Sequence, residues 1–213
     1  MTEATEVHLF FEGARTIVRA VGDPAVEAHW DQPSVLEDQL VSSLVGHVAR
    51  GGIWVVAEYL RGETVTGPPD FANAAQYFEA VVVGAGPDGG KSVRDRSAAI
   101  AALGRDEILR RCNEELQWLE TEIPRLPAGQ LISIIAGKVM TVRDYLVTRV
   151  VEQAVHLDDL ARSVGRQPWP LPGEHQALAI SVGTDIAYDV HGPETTLRAL
   201  FRRGFAELAF PVF

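Results

Sequence analysis

Apolar residues recur at helical spacing through residues 4–21 (ATEVHLFFEGARTIVRAV), and the pattern stops at Gly22, ahead of Asp23 and Pro24. A loop holding Trp30 and Pro33 follows. Ser34 with Glu37 three residues on has the form of a capping box, which predicts a long helix from there to about Leu60, bent at the Gly51-Gly52 pair. GETVTGPPD is loop by composition, and FANAAQYFEAVVV predicts a short helix, or one running into extended chain. From Ser92 to Ile123 the helical period returns, interrupted at Gly104 and halted before Pro124. LISIIAGKVMTV, rich in β-branched residues about a Gly-Lys centre, predicts an extended connection or hairpin. Thr141 then opens a helix ending at Gly165, QPWPLPG is a linker, and residues 174–190 and 193–208 predict two more helices.

Long helices with few strands predict an all-α protein, an up-and-down four-helix bundle with a short helical C-terminal extension. The division expected is a bundle over residues 1–165, with residues 166–213 packed on it. Composition fits one main domain, since the 213 residues are 46% hydrophobic and 23% charged. No run approaches the roughly 18 apolar residues of a membrane span, and the acidic start MTEATE is unlike a signal peptide, so a cytoplasmic protein is expected. The single Cys112 has no partner for an internal disulfide, and a structural or surface cysteine with no chemical role is expected over a reactive one despite two neighbouring arginines. A net charge of -10 argues against a nucleic-acid surface, which needs a dense basic patch.

VVVGAGPDGGKS, residues 81–92, fits both G-x-G-x-x-G and a permissive phosphate loop, with Lys91 as counter-charge and Ser92 as a magnesium ligand. Those motifs work only between a strand and a helix in an alternating α/β chain. This chain does not alternate, so the segment is expected to be a flexible interhelical turn.

The chemistry sits elsewhere. Glu152 and His156 are four residues apart, one above the other on a helix, and can share an ion. Asp159 falls on the same face, as a further ligand, an acceptor for a histidine N–H, or a solvated acid at the helix end. Two ligands from one helix need a third from a facing one, and His47, on an apolar stripe with Leu40, Leu44 and Trp54, is the candidate. The bland alternative is a hydrogen-bonded core histidine. His8, His29, His175 and His191 have no such spacing and read as surface or packing residues.

PSVLEDQLVSSLVGHVARG and YLVTRVVEQAVHLDDLARSVG carry an L-x-x-H-x-A-R segment and a later E-x-x-x-H-x-x-D-L-A. In these the chain resembles the DinB/YfiT-like metalloenzyme superfamily, within it the mycothiol-dependent maleylpyruvate isomerase N-terminal-domain family. The resemblance implies a DinB-like four-helix bundle and a divalent metal, usually zinc, on His47, Glu152 and His156. Two histidines and a carboxylate leave coordination positions open, and a thiol bound there would be deprotonated. The implied co-substrate is mycothiol or a related thiol, and the implied partner a small electrophile, giving a thiol S-transferase or isomerase. Asp159 could orient a ligand or manage a proton, and Arg149 could pair with Glu152, which makes both candidate catalytic residues. Arg198, Arg202 and Arg203 could contact a polar co-substrate, or simply complete a helix end. A non-catalytic metal- or thiol-binding module and a zinc-dependent hydrolase remain as alternatives, and the chain is expected to be a monomer or a homodimer.

Overall fold

The computed structural model describes residues 5–81 and 86–212. Four helical stretches make the bundle. α1 (Thr5–Val21) packs against α7 (Arg105–Glu122) and α8 (Val142–Ser163), and the fourth stretch spans α3 (Val41–Ala49), a π turn (Arg50–Trp54) and α4 (Val55–Leu60). Their shared core holds Phe10, Ile17, Leu44, Ile53, Ile108, Leu119, Leu146 and Leu157, all at or near full burial. The all-α bundle read from the periodicity is the observed fold.

The remaining elements clasp the bundle. α2 (Pro24–Ala28) is a short helix that the apolar pattern did not signal; Asp23 caps it by accepting from the Ala25 amide at 2.9 Å, with Pro24 in the first turn. α5 (Ala74–Val81) lies against α8 and α9 (Gly173–His191), and α6 (Gly86–Ala101) lies along α3. Gly46 allows that last approach, because a Cβ there would meet the Ser97 carbonyl oxygen at 2.6 Å. β1 (Leu131–Ser133) and β2 (Val139–Thr141) form an antiparallel hairpin with Ile132 opposite Met140, as the β-branched run predicted. The hairpin hands the chain to α8, whose cap Thr141 accepts from the Asp144 amide. α10 (Pro193–Phe201) folds back on α9.

Several expectations need correction. Ser34 does not open a helix. Its Oγ accepts from the nearby Leu36 amide at 3.1 Å, and the Val41 and Ser42 amides pair back to Gln32 and Trp30, so this local bonding displaces the helix start to Val41. The Gly51-Gly52 pair, expected to bend the helix, lies in a π turn, where the helix widens. Gly104, at φ 84°, does separate α6 from α7. Residues 86–92, expected in a flexible turn, belong to α6, and α5 stands where a nucleotide loop would need a strand; residues 82–85 lie outside the described residues. The final predicted helix stops at Phe201, short of residue 208. The linker is pinned, with Trp169 buried and its Nε1 donating to Asp23 at 3.1 Å beside an Arg166–Asp23 ion pair. Among the described residues no helix is long and apolar enough to cross a membrane.

Candidate metal centre

α3 and α8 run antiparallel and bring His47 opposite the Glu152–His156 turn. His47 Nε2 lies 3.6 Å and His156 Nε2 3.5 Å from the same carboxylate oxygen, Glu152 Oε2. The two imidazoles meet edge to face, with centroids 4.5 Å apart at 86°. One ligand atom from each of the three side chains falls within 4.8 Å of the others, and each side chain keeps between 16% and 20% of its surface open to solvent.

Asp159 completes the arrangement from behind. Its Oδ2 lies 3.0 Å from His156 Nδ1, which fixes the ring and turns Nε2 towards Glu152. Of the three roles that spacing left open, the geometry supports the acceptor for a histidine N–H. A carboxylate holding the far nitrogen of a ligating histidine is the usual support of metal sites. Burial penalises the charge on His156, but contact with Asp159 and Glu152 outweighs it and lifts the imidazole to about 9. Burial likewise opposes ionisation of Glu152, yet the imidazoles of His156 and His47 and the charge of Arg149 hold it well below the usual carboxylate range. The metal-free cluster is thus a half-buried ion pair, and a cation must displace a proton to use His156.

Arg149 is buried one turn before Glu152, but hydrogen-bonds elsewhere: Nε to Thr148 Oγ1 at 2.9 Å, Nη1 to the Gly51 carbonyl at 3.1 Å, Nη2 to the Tyr77 hydroxyl at 3.4 Å. It lies over the Tyr145 ring at 4.8 Å. It therefore acts on Glu152 through charge and not through the expected direct pairing. Burial disfavours the guanidinium charge, while Tyr145, Tyr77 and Glu152 favour it and keep it above its ordinary value.

Sequence reasoning passed over the second clamp on the π turn. Gln153 Nε2 donates to the carbonyls of Gly52 at 3.0 Å and Phe10 at 3.2 Å, so its Oε1 is the acceptor for His175 Nε2 at 3.1 Å. That fixes the neutral histidine with its proton on Nε2 and leaves Nδ1 buried without a partner. Burial pushes His175 down to about 4. A polar residue repeating at the core-facing position next to Glu152 was the available signal for Gln153; for His175 there was none.

The other candidates are placed apart. Arg198 is paired with Glu194 on the exposed side of α10, and Arg202 donates to the Phe201 carbonyl. Neither touches the histidine–glutamate cluster. Cys112 is buried in the core, its thiol pushed up to about 12 by burial, which makes it the structural of the two alternatives left open.

The donors fit a divalent cation: two neutral-capable imidazoles and an ionised carboxylate, converging from two helices, with one ring already braced by a carboxylate. Residues 11–161 match the family described as the mycothiol maleylpyruvate isomerase N-terminal domain. No curated protein and no solved structure matches the chain.

Proposed function

Because the chain belongs to the mycothiol maleylpyruvate isomerase N-terminal domain family, within the DinB/YfiT-like superfamily, we propose that it is a metal-dependent enzyme acting on a low-molecular-weight thiol. Its reaction is S-transfer to a small electrophile, or thiol-assisted isomerisation of one, with mycothiol as the first candidate thiol. The observation that carries this reading is the convergence of His47, Glu152 and His156 on one point. Three protein ligands leave room for a co-substrate, whereas a purely structural site closes with four.

Zinc or a related divalent cation, if bound there, would supply positive charge that lowers the pKa of a thiol brought to it. His47, Glu152 and His156 would hold the cation. Asp159 positions His156 and accepts its Nδ1 proton in a hydrogen bond, so its role is orientation. Arg149 holds the π turn by the Gly51 carbonyl, and its charge keeps Glu152 ionised.

The test is turnover of a thiol with an activated aryl halide by zinc-loaded protein. Product formation that needs both thiol and metal, and that falls at least a hundredfold in a folded His47→Ala variant, is the expected result. Stoichiometric thiol binding without turnover would instead make the chain a binding module, and turnover independent of thiol would make it a hydrolase.

A further inference from the structure

α10 is apolar around more of its circumference than α9 covers. At about 100° per residue, Ala199, Thr196, Leu200, Leu197 and Phe201 follow one another around roughly half the helix. Only Ala199 and Thr196 are buried, with Ala199 packed against Ala187 of α9 and Ala209 of the tail. Leu197 remains 61% and Phe201 68% exposed, with Leu200 beside them. α10 has nine residues against nineteen in α9, so the face of α9 that seats it runs on uncovered. Ile180, seven residues before Ala187 and within about 20° of it around the helix, is 70% exposed there. Phe205 and Leu208 add exposed apolar surface just beyond α10.

At about 200 Å² for a whole large apolar side chain, the exposed parts of Ile180, Leu197, Leu200, Phe201, Phe205 and Leu208 amount to roughly 700 Å². Monomers seldom leave that much apolar surface in one region, and a stable dimer covers about 800 Å² on each partner. At the edge of the apolar arc Arg198 is paired with Glu194, so that charge is already met within α10.

We propose that this surface joins two copies of the chain, the α9–α10 hairpins packing face to face about a two-fold axis as an intermolecular four-helix bundle. Self-complementary geometry of this kind is what an isologous interface requires.

Sedimentation equilibrium of the full chain at about 50 µM, above the micromolar end of affinities for interfaces of this size, tests the proposal. The expected mass is twice the 23.2 kDa of one chain, and Leu197→Glu with Phe201→Glu returns it to 23.2 kDa with helicity unchanged by circular dichroism. A wild-type monomer at that concentration, or a dimer indifferent to both substitutions, overturns it. Neither result depends on the metal or the thiol.

Discussion

His156 is gripped from both sides, by Asp159 at Nδ1 and by Glu152 near Nε2, so its ring is set before any cation arrives. Asp159→Asn keeps the size but removes the charge, and should weaken zinc binding about 10- to 100-fold in a chelator competition titration. Unchanged affinity would remove Asp159 from the site. His175 makes a different prediction. Its value of about 4 in the fold lies below the roughly 6.5 of an unfolded histidine, so its contribution is whole above pH 6.5 and lost as pH falls towards 4. The loss approaches roughly 3 kcal/mol, by urea titration across that window, and is absent from His175→Gln. A parallel pH dependence in both proteins would contradict the assignment. The ligand trio was legible because Glu152 and His156 repeat at one helical turn and His47 interrupts an apolar stripe. His175 was not, since its partner Gln153 is joined to it only by folding of α9 onto the bundle.

The π turn is the element on which the site's register depends. Its Gly51 and Gly52 carbonyls accept from Arg149 and Gln153, one turn apart on α8, and this fixes how far α3 slides against the helix carrying Glu152 and His156. Gly13 of α1 makes room for the same clamp. A Cβ there would overlap the Gln153 side chain and lie 2.6 Å from His175 Nε2, so Gly13→Ala should cost about 2–3 kcal/mol in denaturant unfolding. Gly51→Ala meets nothing closer than Glu152 Oε2 at 3.6 Å and should stay within about 1 kcal/mol of the wild type. Equal costs at the two positions would show that close packing at Gly13 is not what holds the clamp. A Gly-Gly pair marks a weak point in a helix, but sequence does not say whether the chain bends or takes a wider turn there; the donors on α8 are what reward the wider turn. Ser34 misled for a related reason, since a capping pattern is only a local preference and the strand-like pairing of residues 32–42 overrode it. Gly104 and the 131–142 hairpin were readable because both depend on local backbone chemistry alone.

At the scale of the molecule, the cluster ties α3 to α8, so a cation bound there joins two elements of the fold. Zinc at 100 times its dissociation constant should add about 2.7 kcal/mol and raise the melting temperature by roughly 5–10 °C, with no rise in His156→Ala. The bundle itself was evident from four amphipathic stretches and the match over residues 11–161, whereas the exposed faces of α9 and α10 follow from how far one helix covers another, which periodicity does not give. The account rests on a single cation held by His47, Glu152 and His156. Elemental analysis of protein purified without an affinity tag, beside a Glu152→Gln variant of equal helicity, addresses that most directly. About one equivalent of a divalent metal per chain, falling to a small fraction in the variant, is the predicted result; a metal-free wild type, or equal metal in both proteins, would contradict it.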